Sequence, residues 1–188
     1  MTDKYANPWK TLSTRIVYEN RWIRIREDQV IRPDGEPGIY GVVEYHGCVG
    51  VLPIDAEGNV HLVGQYRYVL DRYSWEIPEG GCDIGEIPEF AARRELREEL
   101  GLEAGNLELL GRSHLSNSVS DEEAFYYVAT DLVQGEAEPE GTEQLQRRIV
   151  TFDEALQMVL KSEITDSLSQ IAILHYAVVK NRKAALSR

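Results

Sequence analysis

The 188-residue chain has only two cysteines, Cys48 and Cys82. That is too few for a disulfide framework, so both are expected as thiols. Neither has a recognisable histidine partner in the sequence, which leaves no signature of a cysteine nucleophile. Apolar runs are short: none reaches the ~18 residues of a membrane span. The opening Met1-Thr-Asp-Lys-Tyr-Ala-Asn-Pro-Trp-Lys10 lacks the apolar stretch of a secretory signal, so the expected location is the cytoplasm. Basic residues are scarce too, 20 against 32 acidic, for a net charge of -12. Such a chain is poorly suited to long nucleic acid, whose binding rests on phosphate neutralisation. It would also repel a small diphosphate unless cations intervene locally. Most of the acidic excess has the ordinary explanation of solubility.

What is present suits one globular domain, or a compact domain with a small extension, since 43% of the residues are hydrophobic. No repeat or low-complexity tract interrupts it. From about Arg15 to Tyr45 the pattern alternates as β-strands do, with Trp22-Ile-Arg-Ile-Arg26 dividing apolar and basic residues between two faces. Arg32-Pro-Asp-Gly-Glu-Pro37 predicts the turn before a returning strand, Ile39–Tyr45. Cys48–Ile54 and Val60–Tyr66 predict a hairpin about Asp55-Ala-Glu-Gly-Asn59.

Pro88–Leu100 predicts a helix, with proline in its first turn and Gly101 as its stop. Leu107–Gly111 and Ala124–Thr130 are further strands. The polar, acidic Gln134–Gln146 reads as a loop. Thr151 and Glu154 form a capping-box pattern opening a helix through Lys161. A final helix is expected over Thr165–Asn181, largely buried at Ile171–Leu174. Strands interleaved with helices give a mixed α/β class.

The densest chemistry lies in Arg94-Glu-Leu-Arg-Glu-Glu-Leu-Gly-Leu102. On a helix, Glu95, Glu98 and Glu99 stand at i, i+3 and i+4 and share one face. Like charges so placed repel, and oxygen-rich clusters of this kind are seats for Mg²⁺ or Mn²⁺. Taken alone, a solvated helix face explains the cluster as well. Upstream, however, Trp75-Glu-Ile-Pro-Glu-Gly-Gly-Cys-Asp-Ile-Gly-Glu86 runs from a strand into a glycine-rich loop. There Gly80, Gly81 and Gly85 permit sharp turns and close backbone approach. Gly80, Glu86, Arg94, Glu95, Leu96, Glu98, Glu99, Gly101 and Leu102 together fill the pattern G-x5-E-x7-R-E-U-x-E-E-x-G-U, where U is a bulky aliphatic residue.

That pattern is the Nudix box, so the chain resembles the Nudix hydrolases. These enzymes hydrolyse nucleoside diphosphates linked to another moiety, on a mixed sheet sandwiched between helices. The resemblance implies metal ligation, by Mg²⁺ with Mn²⁺ as substitute, through Glu95, Glu98, Glu99 and the backbone carbonyl of Glu79. It implies that Arg94 and Glu86 pair to hold loop against helix, with Gly80 and Gly101 structural in the motif. Beyond the box the chain looks like the ADP-ribose pyrophosphatase group, on Val51-Leu-Pro-Ile54, Gln65-Tyr-Arg67, Trp75-Glu-Ile-Pro78, Thr151-Phe-Asp-Glu-Ala155 and Ile164-Thr-Asp166. That group places a β-rich segment ahead of the Nudix domain and forms a homodimer. The expected division here is therefore residues 1–46 and 47–188.

Within the group pattern Arg67 falls where an arginine holds the substrate diphosphate, and Glu76 is a further substrate-binding candidate. Trp22 and Tyr40 fall where two aromatics clamp the base, although core packing would explain either. Glu143 falls at the position of a catalytic base, with Glu140 as runner-up and Glu98 as the candidate within the box. A solvated loop explains the first two equally well.

Two departures bear on selectivity. Asn117 and Ser118 stand where the group has a proline-glycine pair before Ser120-Asp-Glu122, and Glu79 stands where it has alanine. The expected activity is metal-dependent cleavage of a nucleoside diphosphate sugar, ADP-ribose or a related one, to a nucleoside monophosphate and a sugar phosphate. The alternatives are a Nudix hydrolase of dinucleoside polyphosphates or capped RNA ends, and a non-catalytic nucleotide-sugar sensor.

Overall fold

A computed structural model describes residues 5–136 and 144–186, and it resolves into two compact units. One ends at His46 and takes in His114–Glu122; the other is Gly47–Ser113 with the chain from Glu123 onward.

The first unit is an antiparallel sheet of β1 (Lys10–Glu19), β2 (Arg24–Ile31) and β3 (Pro37–Glu44), in that order. β2 begins two residues later than the alternation starting at Trp22 predicts. The reason is local: the Asn20 carboxamide oxygen accepts the backbone N–H groups of Trp22 and Ile23 at 2.8 and 2.9 Å, capturing them for a turn. The second turn closes at Gly35, whose φ of 89° is the left-handed conformation that glycine tolerates. Residues of the segment 114–122 bind along β3. Val43 N–H donates to the Val119 carbonyl at 2.8 Å, and the Tyr40 hydroxyl donates to the Ser118 carbonyl at 2.8 Å.

In the second unit, β4 (Cys48–Pro53) lies between β7 (Glu79–Gly81), antiparallel to it, and β9 (Glu123–Gln134), parallel to it, with β8 (Leu102–His114) beyond β9. A second sheet has the order β10 (Gln146–Thr151), β5 (Asn59–Arg67) and β6 (Arg72–Glu76). The predicted strands 107–111 and 124–130 are thus the middles of longer strands. β10 has no counterpart in the sequence reading, because its Gln146-Arg-Arg148 start has the polarity of a loop; it is ordered by pairing with β5.

Helix α1 (Pro88–Leu100) has the predicted limits, and Gly101 ends it at φ 65° with its N–H on the Arg97 carbonyl. Its apolar stripe, Ala91, Ala92, Leu96 and Leu100, packs with Val49, Val51 and Val63 in the core. The alternating residues of β4 turn to the opposite side. A Cβ on Gly50 would fall 2.9 Å from Leu168 and 3.1 Å from Ile77, so only glycine lets helix α3 (Ser167–Leu186) approach that strand. Helix pressed on both faces of a mixed sheet is the expected sandwich.

Helix α2 (Phe152–Leu160) starts at Thr151, whose hydroxyl accepts the Glu154 N–H. Only half of the capping box forms, because the Glu154 carboxylate reaches Arg148 at 2.6 Å instead. α3 starts at Ser167 rather than Thr165, since the Asp166 carboxylate accepts the Ser169 N–H at 2.6 Å as a cap. Ala172 and Ile173 are buried as expected, whereas Leu174 is exposed. Among the described residues, no helix is long and apolar enough to cross a membrane.

Candidate active site

The site grows from the segment that leads out of β6. Its backbone is held from three sides: Ile77 N–H donates to the buried Ser169 hydroxyl at 3.0 Å, Val51 N–H to the Pro78 carbonyl at 2.8 Å, and Glu79 N–H to the Glu99 carboxylate at 3.3 Å. Those bonds tie the start of the glycine-rich loop to α3, β4 and α1 respectively. The loop then closes on itself, with Asp83 N–H on the Glu86 carboxylate at 2.9 Å and Gly85 at φ 79°.

Arg94 fastens this loop to α1. Its Nε donates to Glu86 at 3.2 Å; Nη2 donates to Glu86 at 3.0 Å and to the Gly81 carbonyl at 2.9 Å; Nη1 donates to Glu95 at 2.6 Å and to Glu98 at 3.1 Å. One bond from Nε, two from Nη2 and two from Nη1 use every donor a guanidinium has. The Glu86 carboxylate, and then that of Glu95, hold the Arg94 pKa above its ordinary value, and Arg94 in turn lowers that of Glu86. Arg94 therefore orients its neighbours and has no proton to exchange in a reaction.

Glu95 and Glu99 are buried and Glu98 is half-buried, all on the face of α1 that meets the loop. A Cβ added to Gly80 would stand 2.2 Å from the Glu95 carboxylate, so the absent side chain is the space that carboxylate fills. Among the described residues no three such groups already converge as a preformed metal cage. Here the Arg94 guanidinium lies between Glu95 and Glu98. The donor set nonetheless fits a hard divalent cation, being oxygen-only, largely anionic and shielded from bulk water.

Beside the loop, a cleft of about 470 Å³ is lined by Arg67, Glu76, Glu79, Asp166 and the exposed turn Tyr68–Leu70. Arg67 Nε donates to both Glu76 oxygens at 3.0 Å, and its Nη2 contacts Glu76 again and Glu79 at 2.7 Å. Burial alone would pull the Arg67 pKa down; Glu76 and Glu79 outweigh it, and the net shift is upward. Glu79 is pushed well up by burial and by the carboxylates of Asp166 and Glu76, with Arg67 pulling the other way. Asp166 and Ser169 entered the sequence reading only as family punctuation or helix interior. Their roles depend on α3 returning to the loop, which no local spacing reveals.

The remaining candidates lie elsewhere. Tyr40 stands edge-on to Trp9, with ring centroids 5.2 Å apart, and is opposite Asp28 in the β2–β3 register. Trp22 sits in the turn before Arg24, beyond one end of that register, with the Arg21 guanidinium 4.0 Å over its ring. Within one chain, then, the two aromatics are not brought together as a clamp. Glu143 and Glu140 lie outside the described residues. Neither cysteine is in a disulfide, and burial pushes the Cys82 thiol above its usual pKa, which suits a core residue rather than a nucleophile.

A glycine-rich loop bound by arginine to a carboxylate-bearing helix, on a sheet covered by helices, defines a class. The profile of the NUDIX domain matches residues 44–169, and the chain belongs to that family, whose hydrolases generally require a divalent metal. The profile of the nucleoside diphosphate sugar hydrolase N-terminal domain matches residues 9–43. The chain is 34% identical over 169 residues to an ADP-ribose pyrophosphatase of Mycobacterium tuberculosis, covering 88% of this chain and 82% of that protein. It is 34% identical to the methanol dehydrogenase activator of Bacillus methanolicus over 87% of this chain and 90% of that one. In fold it is similar to a crystal structure of an ADP compounds hydrolase, with a TM-score of 0.84, 20% identity, and 96% of this chain and 98% of that one covered.

The Gly80 geometry yields a direct test. In Gly80→Ala the colliding atoms are the carboxylate end of Glu95 and not backbone, so the protein should fold with a near wild-type melting temperature. Displacement of that carboxylate should raise the Mg²⁺ concentration for half-maximal activity by about tenfold or more, the scale on which disturbed metal ligation is felt. Unchanged metal activation with intact folding would show that Glu95 needs no such placement.

Proposed function

We propose that the protein cleaves the diphosphate bond of a nucleoside diphosphate sugar, ADP-ribose or a close relative, releasing a nucleoside monophosphate and a sugar phosphate. One observation carries this reading: a complete set of box carboxylates, Glu95, Glu98 and Glu99, gathered on one face of α1 and tied to the glycine-rich loop, the first two through Arg94 and the third through the Glu79 N–H. The substrate class is supported by the match of residues 9–43 to a nucleoside diphosphate sugar hydrolase segment and by the ADP-ribose pyrophosphatase among the relatives.

Glu95, Glu98, Glu99 and the Glu79 backbone carbonyl would hold Mg²⁺, or Mn²⁺ in its place; when bound, the metal supplies Lewis acidity to the phosphate oxygens and lowers the pKa of the attacking water. Arg67 holds the diphosphate, Glu76 fixes that guanidinium from beneath, and Arg94 with Glu86 keeps the carboxylates in position. Trp22 and Tyr40 remain the base-binding candidates, brought together only if a second subunit supplies one of them. Glu143 takes the proton from water, with Glu140 and Glu98 as the other candidates. Residues 1–46 form the extension and 47–188 the hydrolase domain.

The reading is tested with ADP-ribose, ADP-glucose, GDP-mannose, UDP-glucose and a dinucleoside polyphosphate, with products separated by anion exchange. ADP-ribose should give AMP and ribose 5-phosphate with Mg²⁺ and nothing with EDTA. Glu98→Gln and Glu99→Gln should each reduce turnover by orders of magnitude while the fold is retained. Full turnover in metal-free buffer would refute the assignment.

For the base, Glu143→Gln should lower kcat by about 10² to 10⁴ with KM and metal activation nearly unchanged, and Glu140→Gln should do less. Near wild-type kcat in both variants moves the base to the box glutamates.

The protein should also be a homodimer. β1 is exposed along its whole length and carries Leu12, Ile16, Val17 and Tyr18, each about half exposed, an apolar surface that a second subunit would cover. Light scattering should give twice the chain mass at micromolar concentration; a fully active monomer would overturn this.

A further inference from the structure

The substrate-facing arginine is already engaged. The Nε and Nη2 positions of Arg67 are both taken by carboxylates, and among the described residues only Nη1 makes no hydrogen bond. The two carboxylates differ in kind. Glu76 is buried at the end of β6, 2% exposed, and grips the guanidinium through both oxygens, which fits a fixed support. Glu79 lines the cleft itself and takes a single edge position, Nη2, at 2.7 Å. It is also crowded: half-buried, beside the carboxylates of Glu76 and Asp166, with Arg67 opposing them. A diphosphate oxygen accepting a bidentate pair of bonds from Arg67 needs Nη1 and Nη2 together. Glu79 occupies half of that fork.

We infer that the Glu79 side chain is a specificity-determining residue that competes with the substrate diphosphate for Arg67, so that only ligands able to displace it gain the full guanidinium fork. The inference rests on the reading of Arg67 as the diphosphate-binding residue. Its logic is that of built-in selectivity: an acceptor already on the fork must be displaced before a ligand can use both positions, and a ligand does so only by making further contacts. A phosphate that takes a single bond can use the unengaged Nη1, whereas the full fork opens only when Glu79 gives up Nη2. The Glu79 carbonyl is unaffected by side-chain substitution, so the effect separates from any role of the backbone in metal binding.

The test is calorimetric binding of a nucleoside diphosphate whose bridging oxygen is replaced by methylene, at fixed pH and Mg²⁺. The proteins are wild type, Glu79→Ala, Glu79→Gln, Arg67→Ala and Arg67→Ala/Glu79→Ala, each with its melting temperature recorded. Glu79→Ala should tighten binding about tenfold, the scale of one charge-assisted hydrogen bond. Glu79→Gln keeps the side-chain volume and a neutral acceptor, so it should give a smaller gain. Arg67→Ala should weaken binding, and in that background Glu79→Ala should give little further change, because nothing remains to compete for.

Unchanged or weaker binding in both Glu79 variants, while Arg67→Ala weakens it, overturns the competition and leaves Arg67 in its role. Equal tightening by Glu79→Ala with and without Arg67 reduces Glu79 to general repulsion and also overturns it. No loss in Arg67→Ala removes the underlying reading, and the competition with it.

Discussion

The organisation of the catalytic half depends on the Arg94 guanidinium. A loop rich in glycine has few side chains to pack and loses more entropy on ordering than other backbone. Three glutamates on one helical face repel one another. Arg94 resolves both difficulties at once, because its planar fork reaches Glu86 and the Gly81 carbonyl on the loop while its other end reaches Glu95 and Glu98 on its own helix. Lysine, with three donors at one point, could not span those acceptors. The loop conformation and the carboxylate array are thus one structure with a common fastener. Gly80 completes it by leaving room for the Glu95 carboxylate.

The same economy explains how an acidic chain can handle an acidic substrate. Much of the negative charge is dispersed over the surface, but Glu76, Glu95 and Glu99 are buried, and Glu79 is half-buried. Burial of a carboxylate is costly unless it is paired. The two guanidiniums at the site distribute that compensation, Arg94 among three glutamates and Arg67 between two. Neither cluster reaches full neutrality from side chains alone. The residual negative charge at α1 suits a divalent cation, and a cation bound there would reverse locally the field that repels a diphosphate.

What the sequence made legible follows from the range of the physics involved. α1 was readable to the residue because its signals are local: proline in the first turn, apolar residues at helical spacing, glycine at the stop. The box was readable because its geometry is carried by one loop and one helix. Strand β10 was not, since its order comes from β5 some eighty residues earlier and not from its own polar residues. The start of β2 was misplaced because one Asn20 side chain outweighed an alternating pattern, and α3 began late because Asp166 captured an N–H as a cap. Trp22 and Tyr40 could be assigned a shared task from their positions in a pattern, yet strand register sets Tyr40 opposite Asp28 in the middle of the sheet and leaves Trp22 beyond the Arg24 end of β2. Register is a property of pairing and is invisible to spacing along a single strand.

Arg67 and Arg94 show why two arginines among many acidic groups can do different things. Arg94 has every donor satisfied, by acceptors that belong to the scaffold; any exchange of partner would break the loop or the array, so it can only hold. Arg67 is anchored along one edge by Glu76, which the core fixes, while its outer positions are a bond to Glu79 and an unengaged Nη1. A group held at one edge and exchangeable at the other is oriented without being consumed, which is the condition for a preorganised binding residue. Its partner also has reason to leave. Glu79 sits beside Asp166 and Glu76, and an incoming phosphate oxygen that took over its Nη2 bond would leave Arg67 still anchored by Glu76. Of the two guanidiniums, only the one with an exchangeable edge can report the arrival of a ligand.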